Sequence, residues 1–377
     1  MKKLKVGVVG VGFIGAAHIE AIRRLGYIDV VALCVRRGAD EIAEKLCVPH
    51  AYADYKQMID NEELDAIHVC TPNVSHYEIA EYAINRGIHV MCEKPLAFTV
   101  EEAEKLTKLA AEKNVVNGVN FHCRYYPMIR QIKAMIGKGD IGEVISVIGG
   151  YFQDWLLWDT DYSWRLESSL SGKSRAVADI GSHWVDAVEF ATGMKIKKVF
   201  ADFAIFNPVR KKPLKKVETF ANKVETVTEY EEYDVDTEDY AQVLMEFENG
   251  ARGNMIVTQM YPGRKNQMII SVAGRKQALY FDSENLNELW LGSRDGYNKS
   301  IVKDPSLLEA EACEANFYPG GHVEGFPDAF VGNFKAFYEK ILYNKDSSRA
   351  TFADGLREMK LCDAMVVSAA EGRWVEV

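Results

Sequence analysis

The chain has 377 residues, which at about 150 residues per domain fits two domains better than one small module. Apolar residues make up 48% and charged residues 27%, excluding a disordered chain, a collagen-like repeat and a disulfide-stapled miniprotein. Forty-five Lys and Arg against 55 Asp and Glu leave a net charge of −10, so a polyanion-binding surface is disfavoured and no nucleic-acid partner is expected.

Met1-Lys2-Lys3 followed by an apolar stretch ending in Ala16-Ala17 imitates a secretory signal, but Gly7, Gly10, Gly12 and Gly15 interrupt it. No run approaches the ~18 apolar residues that span a bilayer, so no membrane partner is expected. Cys34, Cys47, Cys70, Cys92, Cys123, Cys313 and Cys362 include no CxxC pair, and their odd number cannot pair fully within one chain. Reduced thiols in the cytoplasm are the simpler reading.

From Lys3 to about Phe121, short β-branched runs alternate with helical periodicity, the pattern of a parallel sheet with crossover helices. Strands are predicted at Lys5–Val9, Val30–Val35, Ala66–Cys70, His89–Cys92 and Val115–Val119. Helices are predicted at Ile14–Leu25, Asp40–Leu46, Val74–Asn85 and Val100–Glu112, the last opened by Thr99 with Glu102 at capping-box spacing. Beyond about Pro127 the runs lengthen. Strands are predicted at Val144–Phe152, Lys197–Ile205, Asp239–Phe247, Ala251–Gln259 and Gln267–Val272, consistent with an antiparallel sheet carrying helices on one side. Residues 207–236 run from Arg210-Lys211-Lys212-Pro213 and Lys215-Lys216 to Glu229, Glu231-Glu232 and Asp234. They read as a solvated excursion or a subunit-contact arm. A final helix, Gly355–Ala370, follows the cap signal Thr351-x-x-Asp354.

Gly10-Val11-Gly12-Phe13-Ile14-Gly15 is a GxGxxG that directly follows a predicted strand and opens a predicted helix, the context in which the pattern has a mechanism. Gly10 permits the tight turn, Gly12 lets the backbone approach a pyrophosphate, and Gly15 allows helix and sheet to pack closely. Where NAD binding calls for an acidic residue about 20 positions on, the chain has Val35, then Arg36 and Arg37, which would hold a 2′-phosphate by charge-assisted bonds. NADP is therefore favoured, with NAD still open. Thr71-Pro72-Asn73, with His76 behind them, lie where a strand gives way to a helix, at the edge where open α/β sheets bind ligands.

Glu93-Lys94-Pro95 closes the strand His89–Cys92 at the same edge, and an ammonium there could steady a developing alkoxide. Asp179-Ile180-Gly181-Ser182-His183 leads into an apolar helix, Trp184–Ala191. If the turn is helical, Asp179 and His183 share a face, and a carboxylate that orients an imidazole makes a general base.

Taken together, Gly10–Gly15, Thr71-Pro72-Asn73, Glu93-Lys94-Pro95 and Asp179-x-Gly-x-His183, in this order and spacing, resemble the Gfo/Idh/MocA oxidoreductase family, which includes glucose-fructose oxidoreductase and inositol dehydrogenase. The resemblance implies an α/β protein with a Rossmann dinucleotide-binding domain over 1–124. It further implies a substrate-binding and oligomerisation domain over 125–377, whose last helix, about 355–370, could pack near the first domain and whose large, mostly antiparallel open sheet joins a dimer or tetramer. It also implies oxidation of a carbohydrate-like hydroxyl, with Lys94, Asp179 and His183 catalytic and no metal. His183 would accept the proton and Lys94 polarise the oxygen. On the cofactor side stand Gly10, Gly12, Phe13, Ile14, Gly15, Arg36, Arg37, Thr71, Pro72, Asn73, His76, Glu93, Lys94, Trp164 and Arg165. Asn120–Tyr125 looks like the family segment that enters the second domain, and Trp164-Arg165 like a pair that reaches the nicotinamide.

The aromatic stretch Tyr151–Trp158 with Tyr162 could face a pyranose. The Tyr318–Phe326 segment resembles one found in sugar- and glycoside-oxidising members. Tyr125, Gln153, Trp164 and His322 therefore join Lys94, Asp179 and His183 as substrate contacts. The chain departs from the family at Ser171-Gly172-Lys173-Ser174-Arg175, where members often carry a glycine-rich run. The rival readings are a carbonyl reductase or cyclitol dehydrogenase using the same residues, a cofactor-binding sensor without turnover, and a metal enzyme built on Asp179, His183 and His322.

Overall fold

The computed structural model describes residues 3–214 and 229–377. The middle of the 207–236 excursion, with Lys215 and Lys216, lies outside the described residues, as do Met1 and Lys2. The chain divides into two compact units, Met1–Tyr125 with Phe326–Met359 and Tyr126–Gly325 with Lys360–Val377. The return of Phe326–Met359 to the first unit is absent from the contiguous ranges 1–124 and 125–377.

The first unit carries six parallel strands, β1 Leu4–Val9, β2 Ile28–Cys34, β3 His50–Tyr52, β4 Ala66–Val69, β5 His89–Cys92 and β6 Asn117–Val119, in the order β3-β2-β1-β4-β5-β6. Helices Phe13–Arg24, Ala39–Leu46, Tyr55–Asn61, His76–Ile84 and Val100–Glu112 connect them. The strand order reverses between β1 and β4, so Gly10 and Thr71, at the carboxyl ends of those two strands, flank the crevice where such sheets bind ligands. Strand and helix faces bury Val69, Val90, Val119, Ile79 and Leu106 together. Thr99 and Glu102 form the predicted capping box, each side chain bonding the other's backbone N–H. β3 and helix Tyr55–Asn61 escape the sequence reading because three and seven residues are too short to establish a period. Expected strand Val115–Val119 shortens to three residues.

In the second unit, β7 Val144–Phe152, β8 Ile196–Ala204, β9 Val209–Pro213, β10 Tyr230–Asp234, β11 Tyr240–Phe247, β12 Arg252–Thr258, β13 Gln267–Gly274, β14 Ala278–Asp282, β15 Glu288–Gly292, β16 Lys299–Val302 and β17 Val375–Glu376 follow in sequence. Among the described residues, β9 and β10 pair only with each other, and the rest form one sheet ordered β16-β15-β14-β13-β7-β12-β11-β8-β17. Every pairing in it is antiparallel except β12 with β7. The sheet is thus mostly antiparallel, with one parallel seam. The seam exists because β7 lies between β12 and β13, which an alternation pattern cannot reveal.

Helix Ser182–Thr192 is buried along its whole length, and Trp184 Nε1 donates to Ile269 O of β13 at 2.7 Å. That close approach requires Gly149 on β7, where a Cβ would lie 2.0 Å from Ile269 O and 3.0 Å from Trp184 Nε1. The last helix, Phe352–Glu371, opens where Thr351 N donates to Asp354 Oδ2 at 2.8 Å. Among the described residues, no helix is long and apolar enough to cross a membrane.

Candidate active site

The glycine loop has the geometry its chemistry requires. Gly10 adopts φ +87°, and a Cβ there would press on the backbone of Cys70 and Thr71 at 2.7 Å; a Cβ on Gly15 would lie 2.1 Å from Gly10 O. Gly12 differs, because its Cβ would meet nothing within 4 Å. The space over Gly12 is what a pyrophosphate approaching the backbone needs. Helix Phe13–Arg24 begins at Gly12 with no side-chain cap and no acidic residue in its first turn, so its positive end suits an anion. Phe13 is exposed and Ile14 half-buried; Arg36 and Arg37 are exposed just beyond β2. These residues fit a dinucleotide.

At the end of β4, Ser75 Oγ donates to Thr71 Oγ1 at 2.8 Å and to Pro72 O at 2.9 Å, shaping the turn that holds Asn73, itself buried. The His76 ring nitrogens lie 2.8 Å from Pro95 O and 2.8 Å from Thr71 O. Burial lowers the pKa of this imidazole more than the two carbonyls raise it. The ring braces two loops of the ligand edge against each other.

Glu93, at the end of β5, opens a buried chain of polar groups. Its Oε1 lies 2.8 Å from His18 Nε2 and accepts from Asn120 Nδ2 at 2.5 Å, while its Oε2 accepts from Lys94 N at 3.3 Å. Beyond it, His18 Nδ1 meets His68 Nδ1 at 2.8 Å, His68 Nε2 meets the Tyr338 hydroxyl at 2.7 Å, and Asn333 donates to Asn120 at 2.9 Å. Burial opposes charge on Glu93, yet the bonds from His18 and Asn120 and the Lys94 charge outweigh it and bring the carboxyl down to about 2. Burial, helped by the neighbouring His18, pushes His68 well below its ordinary 6.5. The backbone that presents Lys94 is thereby tied to the core. Tyr125 is buried at the end of the turn His122–Tyr125.

In the second unit, Asp179 lies in a wide helical turn, Val177–Gly181, which runs directly into helix Ser182–Thr192 and places buried His183 four residues further on. Arg165 Nε donates to Asp179 Oδ1 at 3.1 Å, and the Arg165 guanidinium stands 4.6 Å from the Trp164 ring centroid. Gln259 Nε2 donates to Asp179 Oδ2 at 2.8 Å and reaches Gln153 Oε1 at 3.4 Å. Gln153 Oε1 also accepts from Trp155 Nε1 at 2.6 Å. Asp179, Arg165, Trp164 and Gln153 are thus brought together. Of the aromatic stretch, Trp155 and Tyr162 pack on Leu156, Leu166 and Val235, whereas Trp158 is exposed. His322 stands exposed in a loop where its Nδ1 lies 3.3 Å from Gly320 O. That loop is anchored by the buried pair of Lys303 and Glu324.

Sequence reasoning missed Gln259, Arg175, Glu238 and Asp239. Glu238 accepts from Ser174 Oγ at 2.8 Å and from the backbone of Arg175 and Val177, so the segment that departs from the glycine-rich pattern is held by side-chain bonds. The available signal was Glu238-Asp239 at the head of a strand, a place where buried charges need partners.

A family model described as an oxidoreductase family with an NAD-binding Rossmann fold matches residues 4–121, and one for the GFO/IDH/MocA C-terminal domain matches residues 129–280. Levoglucosan dehydrogenase of Pseudarthrobacter phenanthrenivorans is 30% identical over 394 residues, spanning 100% of this chain and 99% of that protein. Among solved structures, levoglucosan dehydrogenase in complex with NADH and L-sorbose matches with a TM-score of 0.89 at 28% identity, over 100% of this chain and 99% of the other. An inositol dehydrogenase homologue from Azotobacter vinelandii, complexed with NAD+, matches with a TM-score of 0.87 at 25% identity, over 100% and 98%.

Proposed function

Because the chain belongs to the Gfo/Idh/MocA oxidoreductase family, we propose that it oxidises a secondary hydroxyl of a sugar, an anhydrosugar such as levoglucosan, or a related glycoside. The observation that carries this reading is the Asp179 turn. A carboxylate with a donor on each oxygen stands one turn ahead of His183, an arrangement suited to orienting an imidazole base. The cofactor, when bound, supplies the hydride acceptor. His183 takes the hydroxyl proton, Asp179 holds the imidazole and favours its protonated form, and Lys94 donates to the substrate oxygen as negative charge grows on it.

Gly10, Gly12, Phe13, Ile14 and Gly15 would hold the pyrophosphate. Thr71, Pro72, Asn73, Trp164 and Arg165 would face the remainder of the dinucleotide, while His76 and Glu93 serve it through the loops they brace. Exposed Arg36 and Arg37, with Val35 in place of a carboxylate, support a preference for NADP. Tyr125, Gln153 and His322 complete the substrate side. We place the enzyme in the cytoplasm, since Cys34, Cys47, Cys70, Cys92 and Cys313 are free thiols that suit a reducing compartment. Exposed Ile145, Ile148, Leu244 and Trp290 on the large sheet support a homo-oligomer through that face.

The test follows reduced nicotinamide by absorbance with NAD+ and NADP+ against levoglucosan, glucose and inositol. Lys94→Ala and His183→Ala, made separately, are each expected to lower turnover by about 100-fold or more while NADPH still binds by fluorescence. Unchanged turnover in both removes the mechanism. Replacing Arg36 and Arg37 by Ala is expected to raise KM for NADP+ by about 10-fold, the scale of a lost charge-assisted bond, and to leave KM for NAD+ in place.

A further inference from the structure

We infer that Gln259 positions the Asp179 carboxylate, through an amide whose orientation Arg175 dictates; the inference rests on the role proposed above for Asp179. Arg175 Nη1 lies 2.9 Å from the Gln259 side chain. A guanidinium can only donate, so the atom facing it is the amide oxygen, and the amide nitrogen must face the other way. There it meets Asp179 Oδ2 at 2.8 Å. Arg165 holds the second oxygen of the same carboxylate at 3.1 Å. The terminal torsion of an aspartate is broad and roughly two-fold, and donors from two separate elements restrict it to one setting.

The anchor behind Gln259 is rigid. Gln259 and Asp239 are fully buried and Arg175 is 1% exposed. Arg175 forms an ion pair with Asp239, and its backbone N–H donates to both oxygens of Glu238, at 3.0 and 3.1 Å. Asp239 Oδ1 also takes Arg210 Nη2 at 2.7 Å, and Asp239 Oδ2 accepts from the N–H groups of Phe206 and Asn207 at 2.7 and 3.1 Å. Every member of this chain is held from the far side, so the amide has little freedom to turn.

The choice of residue also argues for the role. Were position 259 needed only as an acceptor for Arg175, a glutamate would serve better, because charge-assisted bonds are about twice as strong as neutral ones. What glutamine adds is a donor, and that donor is directed at Asp179.

The discriminating variant is Gln259→Glu. It preserves volume and the acceptor for Arg175 but sets a carboxylate oxygen against Asp179. A structural role predicts a folded enzyme with wild-type kinetics. Positioning predicts a fall in kcat of about 100-fold, the cost of misplacing a reacting group by about 1 Å, with KM and NADPH binding near wild type and the unfolding midpoint retained. Gln259→Leu, which removes both bonds, is expected to show the same kcat loss with a lowered midpoint, and it carries the test should Gln259→Glu not fold. The reference is Asp179→Asn, assayed with levoglucosan, glucose and inositol. Wild-type kcat in folded Gln259→Glu beside a crippled Asp179→Asn overturns the inference alone. An inactive wild type on this panel, or full activity in Asp179→Asn, removes the proposed function and the inference with it.

Discussion

Each unit buries a connected set of polar side chains, and the two sets are made of different chemistry. In the first, Glu93, His18, His68 and Tyr338 form a line of hydrogen bonds set among Phe330 and Phe334. In the second, Arg175, Asp239 and Arg210 form a fully charged cluster with no side-chain exposure. The first depends in part on an imidazole, that of His68, which burial holds in its neutral form well below its ordinary pKa. The second depends on guanidinium groups. Burial lowers the pKa of Arg175 and the Asp239 charge opposes that shift, but a guanidinium stays protonated across the range in which imidazoles titrate. The contrast teaches that buried polarity can be tied to pH or independent of it, according to which side chains carry it. The residues that hold Asp179 belong to the independent kind.

The strongest way to break the contrast is Asp239→Asn, which leaves two buried guanidinium groups without their carboxylate. A loss of about 3–5 kcal/mol is expected, measured by denaturant unfolding; a change below about 1 kcal/mol would mean the cluster is far less coupled than its geometry implies.

Acidification should act on the first unit. The folded-state pKa values of His68, well below 6.5, of His122, brought mainly by burial to about 4, and of Glu93, brought to about 2 from an ordinary 4.5, all lie below their unfolded values. In each case the unfolded chain binds the extra proton. Stability is therefore fully present above about pH 6.5, falls first through the histidines, and falls further below about pH 4.5 through Glu93. The slope is up to about 1.4 kcal/mol per pH unit for each proton. Hydrogen exchange measured between about pH 7 and 5 should show the first unit losing protection while the segments around Arg175 and Asp239 keep theirs. His68→Gln should flatten the slope.

Tyr338→Phe removes the hydroxyl partner of His68 Nε2 and should cost about 1–2 kcal/mol, read from the same unfolding curves. At the small end, Arg275→Ala breaks an exposed pair with Glu143 at 2.9 Å and should leave the unfolding midpoint unchanged, since exposed pairs contribute little.

How much of this was legible in the sequence depends on the range of the interaction concerned. The glycine loop, the Thr99 and Thr351 helix starts and strands such as β7 are local: glycine spacing, cap residues and alternation act over a few positions, and their outcome agrees with the reading. Chemistry-bearing groups at a strand end, as at Glu93-Lys94, or at the entry to a helix, as at Asp179-x-x-x-His183, could be nominated for the same reason. The helix Phe326–Tyr343, whose apolar residues include Phe330, Phe334 and Phe337, directly follows the glycine-rich run Gly320-Gly321 to Gly325 and is not part of the sequence expectation.

The amino-acid sequence by itself determined that this chain would build a dinucleotide cradle and a large sheet, because those outcomes follow from backbone preferences and from the period of apolar residues. Only the tertiary structure decided that Gln259 would face Asp179, that Arg175 would orient Gln259, and that His18 would join Glu93 to His68. Those pairings link residues separated by 50 to 84 positions. A side chain buried far from its partner in sequence leaves no local pattern; its partner is set by where the folded backbone brings a complementary donor or acceptor, and by the cost of leaving either group unsatisfied.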